Sequence, residues 1–457
     1  MRPLVVLNVV GLTPALLAHA PRISALAAQG FQATLEPVLP AVTCTAQSSM
    51  LTGLLPREHG IVGNGWYDRV RAEPIFWKQS NHLVSGEMVW DAARARDPSC
   101  TSANLFWWFN MYGSTDCSVT PRPAYPADGR KIPDCYSDPP ELRERLQSQL
   151  GTFPLFRFWG PGADISSSTW IAESALNVLE REQPQILFVY LPHLDYPLQK
   201  VGPGHPSIPA EVAAVDALAG RLIDAAAERG GEAVVLSEYG ITPVTDAVFP
   251  NRALREAGLL TFRNDRTGEL LDHGASRAFA VPDHQIAHVY CAKAVDIPRA
   301  ADALRSLTGV DAVFVGDERA SIGLDHARSG EIVILSARDR WFAHDWWIDA
   351  SRAPDYQRTV DIHRKPGYDP RELFLDPTIP LVKARLIAKV IARKLGIRNL
   401  LDVIPLDTSL VRGSHGLAPP SPSEGPLLIA GSPRGAVATL HQTQVKSFLL
   451  ERLFDSA

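Results

Sequence analysis

The sequence predicts an α/β fold: a mostly parallel central sheet flanked by helices in three layers. Three observations predict it. Short aliphatic and β-branched runs recur along the chain, most are followed by Ala- and Leu-rich stretches of helical character, and the runs close on polar or Gly-containing sequence. Buried parallel strands read as continuous apolar runs, and crossover helices supply the stretches between them. In open α/β sheets functional groups collect at strand ends, so the closing residues are the first candidates for chemistry.

Taken in order, residues 4–10 read as the first strand and 15–30 as a helix. Residues 186–191, 233–236 and 427–429 read as further buried strands. Helices are expected at 167–181, 211–229 and 381–395, the last with Gly396 as its C-cap. Between about 100 and 165 the composition turns aromatic and Pro-rich (Phe106-Trp107-Trp108-Phe109, Pro121-Arg122-Pro123), which predicts irregular structure over a site rather than a core layer. A second irregular block spans about 260–400. Both are expected as insertions forming a cap or lid on one catalytic domain of 457 residues.

With 46% apolar residues the chain can bury a large core. Its 45 basic and 50 acidic residues leave a net charge of −5, which gives no electrostatic reason to expect a nucleic-acid partner. Cys44, Cys100, Cys117, Cys135 and Cys291 are odd in number, widely spaced and without a C-x-x-C pair. They predict reduced thiols, hence a cytoplasmic setting, and no cysteine zinc site. The apolar start is broken early by Asn8 and Gly11, so neither a signal peptide nor a transmembrane segment is expected.

The first cluster with chemical content runs from Pro40 to Gly53 and continues through Pro56-Arg57-Glu58-His59-Gly60-Ile61. A Thr that closes an extended segment and opens a helix meets backbone N–H groups and the positive helix end, which favour an anion beside the Thr43 hydroxyl. That position suits a nucleophile; the plainer reading is an N-cap. Other strand ends carry Asn8, Asp195 (in Pro192-His193-Leu194-Asp195), Glu238 (in Ser237-Glu238-Tyr239-Gly240) and His415 (in Gly413-Ser414-His415-Gly416).

In order and flanking residues these motifs resemble the alkaline phosphatase superfamily, in particular its type I phosphodiesterase / nucleotide pyrophosphatase branch. The resemblance covers the chain apart from the two irregular blocks. It implies an alkaline-phosphatase-like fold and hydrolysis of phosphodiester or pyrophosphate bonds on a small phosphorylated substrate, through a phosphothreonine on Thr43. It also implies one or two divalent ions, zinc, manganese or magnesium, that polarise the phosphoryl oxygens and activate the nucleophile. On that pattern His415 and Asp195 hold one ion, and Thr43 and Glu238 touch the other.

The departures matter as much. Val10 stands where the family has Asp before the first-strand Gly, leaving Asn8 as the nearest polar residue on the same strand face. Gln199 replaces a His, Glu238-Tyr239 replaces Asp-His, and Ala46-Gln47 stands near the position of a family Asn. Loss of imidazoles and charge argues against the ordinary two-zinc site and toward magnesium, manganese or a single ion. His193, His205, His284, His288 and His363 are candidate replacement ligands, each with a hydrogen-bonded or surface imidazole as its alternative. Alternatives at the level of function are a metal-free pseudo-enzyme acting as a ligand-binding subunit, and a phosphomonoester, phosphonate or sulfate ester hydrolase on the same fold.

Three further segments are open to two readings. The loop Asp361-Ile362-His363-Arg364-Lys365-Pro366-Gly367-Tyr368-Asp369 can grip an anionic substrate or be a solvated turn. Phe106–109 and Trp346-Trp347 can stack on a ligand or pack in a core. The segment 381–395 alternates apolar and basic residues, which suits a weak contact with an anionic membrane, although such helices more often pack their apolar stripe on the core. Oligomeric state has no signature in the sequence.

Overall fold

The computed structural model describes residues 1–127 and 129–454. Its central sheet has nine strands. Those strands are β1 (Leu4–Val9), β2 (Phe31–Glu36), β3 (Ser102–Leu105), β4 (Cys117–Pro121), β5 (Cys135–Asp138), β6 (Ile186–Leu191), β7 (Glu232–Leu236), β12 (Leu427–Ala430) and β13 (Thr439–His441). A second, four-stranded antiparallel sheet holds β8 (Ala278–Asp283), β9 (Ile286–Cys291), β10 (Val310–Val315) and β11 (Ile332–Ser336).

The central order is β13-β2-β12-β7-β1-β6-β3-β4-β5, with parallel pairing through β7, β1, β6, β3 and β4. Strands β12 and β5 run antiparallel to their neighbours. All six residues of β1 and all six of β6 are buried, because layers on both faces leave no side for polar alternation. The architecture is that of a three-layer α/β sandwich.

Helices follow the strands largely where expected. Pro21 divides the first into a 3-10 turn (Pro14–His19) and α1 (Pro21–Gln29), since proline opens a helix more readily than it continues one. Then come α2 (Thr43–Thr52), α3 (Ile165–Arg181), α4 (Asp195–Val201), α5 (Ile208–Glu228), α6 (Val382–Lys394) and α7 (Val445–Phe454). Gly396, at φ +81°, follows the last turn of α6 in the left-handed region that only glycine enters freely.

Two expectations are corrected. The 100–165 block is not a covering layer: it supplies β3, β4 and β5 to one edge of the central sheet. Phe106, Trp107 and Phe109 are core residues, as are Trp346 and Trp347. Strands β3, β4 and β5 are four or five residues long, too short to show the period-2 signal that longer strands carry. The 260–400 block is likewise regular in part, since it builds the second sheet. All five cysteines are buried and unpaired.

Candidate functional site

The central strands deliver their polar ends to one place. Asn8 sits near the end of β1, where parallel register aligns it with Tyr190 of β6 and Leu236 of β7. Glu238 follows β7 by two residues, and Asp195 opens α4 just beyond β6. Gly240 must be glycine here, because a Cβ would stand 1.8 Å from the Glu424 carbonyl oxygen.

Thr43 is the first residue of α2 and does not act as its N-cap. The cap position is Val42, with no side-chain capping bond. The Thr43 hydroxyl instead lies 3.0 Å from the Tyr239 hydroxyl, which in turn donates to Asp195 Oδ1 at 3.2 Å. A phenol has one proton. With Asp195 ionised that proton faces the carboxylate, so Thr43 donates to the phenol oxygen. The remaining motif residues hold α2: Thr52 bonds the Ser48 carbonyl, Gly53 ends the helix at φ +75°, and His59 meets the Ser49 hydroxyl.

Asp195 is saturated by neighbours. Gln199, one helical turn on, donates to Oδ2 at 2.8 Å, and Tyr368 donates to Gln199 Oε1 at 2.9 Å. Glu238 Oε1 accepts from Asn8 Nδ2 at 2.6 Å and from Gln47 Nε2 at 2.5 Å, and Gln47 is itself held by the backbone N–H of Trp108. His415 donates Nδ1–H to the Ala41 carbonyl, leaving Nε2 as an unprotonated lone pair 3.8 Å from Asp195 Oδ1. Burial holds the imidazole neutral, so the two do not form an ion pair.

Four rings stack across the site in the order Tyr239, His415, His284 and Tyr368, with centroid separations of 3.6, 3.8 and 3.6 Å. His284 stands on the two-residue turn between β8 and β9 at φ +63°, a conformation costly for any residue but glycine. Gln285 N–H bonds the His415 carbonyl and fixes that turn against the segment that carries His415. Asp283 accepts from both the backbone and side chain of Asn64, whose Oδ1 takes the Cys44 N–H at the start of α2.

Burial dominates the electrostatics. It pushes Asp195 up to about 7, assisted by repulsion from Glu238, and Glu238 up to about 7. It also pushes Asp283 up to about 6. His284 and His415 are held well below their usual value. The site is therefore rich in buried carboxyl groups with no Lys or Arg hydrogen-bonded to them.

The expected residues divide plainly. Asn8, Thr43, Gln47, Asp195, Gln199, Glu238, Tyr239 and His415 come together. His193 is directed to Glu211 at 2.7 Å, and His363 is an exposed loop residue beside Lys78 and Lys131; neither joins the cluster. His288 is likewise bonded elsewhere, to the Val62 carbonyl, and His205 to Ser207. The loop that reads as either an anion grip or a solvated turn is neither over residues 365–372, where its charges are buried and paired: Lys365 lies 2.8 Å from both Asp369 and Glu372, and Arg371 bridges Asp369 and Asp345. Tyr368 and Asn64 were not foreseen. A tyrosine inside a Gly-Tyr-Asp loop carries no local mark of its partner, which is 169 residues away.

The donor set decides which metal content fits. Two zinc ions do not: Gln199 and Tyr239 replace imidazoles and bind Asp195 themselves, and among the described residues no three His, Cys, Asp or Glu side chains form a metal cluster. What remains open is a set of buried lone pairs without a donor: Asn8 Oδ1, Glu238 Oε2 and His415 Nε2. Mainly oxygen donors, one neutral imidazole oriented by a backbone carbonyl, and excess carboxylate suit one oxygen-preferring divalent ion.

A family model described as type I phosphodiesterase / nucleotide pyrophosphatase matches residues 4–369. The chain belongs to that family. Its members are hydrolases of phosphodiester and pyrophosphate type. An uncharacterised pyrophosphatase/phosphodiesterase of Schizosaccharomyces pombe is 26% identical over 222 residues, 46% of this chain and 38% of that protein, so the match spans well under half of the relative. Phosphonoacetate hydrolase of Sinorhizobium meliloti 1021, solved with phosphonoformate, superposes with a TM-score of 0.63 at 15% identity, covering 99% of this chain and 96% of its own. The murine ectonucleotide pyrophosphatase / phosphodiesterase 5, solved in an inactive form with AMP, gives 0.59 at 14% identity, covering 100% and 96%. At such identities these two likenesses establish the fold, that of the alkaline phosphatase superfamily.

Proposed function

We propose that the chain hydrolyses a phosphodiester or pyrophosphate bond of a small organic substrate, with Thr43 as nucleophile and one divalent ion as cofactor. The observation that carries this reading is the hydroxyl chain Thr43–Tyr239–Asp195 at the start of α2. The helix end faces the phosphoryl group with backbone N–H and partial positive charge. As the Thr43 oxygen bonds to phosphorus, its proton passes to the Tyr239 oxygen while the Tyr239 proton passes to Asp195. The phosphorus–oxygen bond to the leaving group breaks, and that oxygen takes its proton from solvent. Water then attacks the phosphothreonine and releases its proton to solvent, the threonine–phosphorus bond breaks, and Thr43 recovers its proton along the same chain.

Asn8, Glu238 and His415, whose open lone pairs have no donor, are the residues that would hold the ion, with Asp195 kept as the proton acceptor. Bound there, it supplies Lewis-acid stabilisation of charge on the phosphoryl oxygens. Half-buried Trp77 and Trp108, 4.9 Å apart, with Tyr368 6.2 Å from Trp77, offer an apolar wall for the organic part of a ligand, in keeping with the AMP bound by the murine relative. The test is turnover of bis-p-nitrophenyl phosphate by purified protein with manganese or magnesium. Thr43→Ala is expected to abolish it, and chelation to suppress it reversibly; undiminished activity in Thr43→Ala overturns the mechanism.

One observation favours a second reading. Both Asp195 oxygens are already taken by Gln199 and Tyr239, as in a site closed without metal. A binding protein for phosphate esters then results. Elemental analysis separates the two: stoichiometric metal supports the hydrolase, and none after manganese supplementation supports the binder.

A further inference from the structure

Helix α6 breaks the rule that a surface helix turns its apolar stripe inward. None of its residues is buried. Ile387, Ile391 and Leu395 fall on one line at helical spacing and are 60%, 52% and 74% exposed, and Ile397 and Leu400 beyond the helix are 58% and 40% exposed. The half-buried side mixes Val382 and Leu386 with the basic Lys389 and Arg393: Lys389 pairs with Asp402, as does the exposed Arg385, and Arg393 bonds the Asn399 carbonyl. A second apolar stripe left in solvent on the outer side is a face free to meet something outside the chain.

Charge names the occupant. Residues 381–400 carry Lys383, Arg385, Lys389, Arg393, Lys394 and Arg398 and no Asp or Glu, in a chain of net charge −5. Lys383 and Lys394 stand four before and seven after Ile387, at the two ends of the exposed stripe and on its side of the helix. Among the described residues neither they nor Arg398 have an ion pair or hydrogen bond. A second copy docked through this face about a two-fold axis would set like charge against like. An apolar strip rimmed by long, unpaired cations matches a membrane surface, where the isoleucines and leucines enter the acyl boundary and the lysine stems reach back to anionic headgroups.

We infer that α6 with residues 395–400 is a peripheral docking face for an anionic phospholipid membrane. No described helix is long and apolar enough to cross a membrane, so the contact is an in-plane one. The inference is independent of the chemistry at Thr43.

The test is co-sedimentation of the full chain with vesicles of phosphatidylcholine containing about one-third phosphatidylglycerol, against pure phosphatidylcholine. Binding is expected only to the anionic vesicles, weakening with added salt. Ile387→Asp with Ile391→Asp, and separately Lys383→Glu with Lys394→Glu, are each expected to reduce it about tenfold or more, with melting temperature unchanged because these side chains stand in solvent. Absence of binding by the parent chain at low salt overturns the inference, as does binding unaffected by either pair. A concentration-dependent dimer abolished by Ile387→Asp and Ile391→Asp, without vesicle binding, assigns the face to a second copy and also overturns it.

Discussion

Tyr239 is the residue on which the site turns, for it occupies a position that the family motif gives to an imidazole and does two things with one side chain. Its ring stacks on His415, and its hydroxyl joins Thr43 to Asp195. Tyr239→Phe keeps the first and removes the second. Turnover is expected to fall about 10²–10⁴-fold, the usual span for loss of a proton-transfer partner, while stability falls by only about 1–3 kcal/mol for the two lost buried hydrogen bonds. Steady-state kinetics beside thermal denaturation checks both halves. A fall in turnover matched by loss of folded protein would assign the hydroxyl a purely structural role. Thr43, Asp195, Glu238 and His415 were legible in the sequence because each follows or opens an element whose boundary is itself readable. Tyr239 was legible only as a departure from the family motif, since nothing local shows that a phenol can bridge two groups across the site.

At the scale of elements, the buried strut at 365–372 illustrates why charge in a loop is ambiguous. Lys365, Asp369, Arg371 and Glu372, with Asp345 from before the loop, satisfy one another out of water. The neighbouring cations hold the Asp369 carboxyl far below the usual carboxylate range against the opposing effect of burial. Arg371→Gln leaves Asp345 and Asp369 without their principal partner, and a loss of about 3–5 kcal/mol is expected in urea unfolding. The depressed Asp369 value fixes the sign with pH: its stabilisation is complete above the unfolded carboxyl value and is lost as pH falls below it. From sequence the same residues read equally well as an anion grip, because composition records which charges are present and not whether they face each other. Strands β3 to β5 escaped for a related reason: four- and five-residue strands carry too few side chains to establish a period.

At the scale of the whole molecule, folding concentrates carboxyl groups that water would otherwise keep ionised. Asp195 and Glu238 near 7 and Asp283 near 6 mean that the folded chain without metal binds protons the unfolded chain releases. Stability from these groups is present at low pH and is lost as pH rises from the unfolded carboxyl range through about 7. A divalent ion replaces those protons. Manganese is therefore expected to raise the melting temperature more at pH 8 than at pH 5.5, and Glu238→Gln to shrink that difference; an increment independent of pH would mean that the ion binds elsewhere. The α/β architecture behind this was readable from the apolar runs at 4–10, 186–191 and 233–236, whereas the second sheet was not. Its strands β8 and β9 are buried along their whole length, so they carry no alternation by which to be recognised.

The stack of Tyr239, His415, His284 and Tyr368 has a consequence in time as well as space. Two of its rings come from the central sheet's side of the molecule and two from segments attached to the second sheet, and β12 and β13 near the end of the chain must pair before the central sheet is whole. Thr43, Asp195 and Tyr239 all belong to the first 239 residues, but His415 stacks on Tyr239 and Tyr368 holds the Gln199 that bonds Asp195, so segments from much later in the chain brace the relay. A chain ending before His415 keeps all three relay residues but loses the ring that packs on Tyr239, and its turnover is expected to fall for want of that brace.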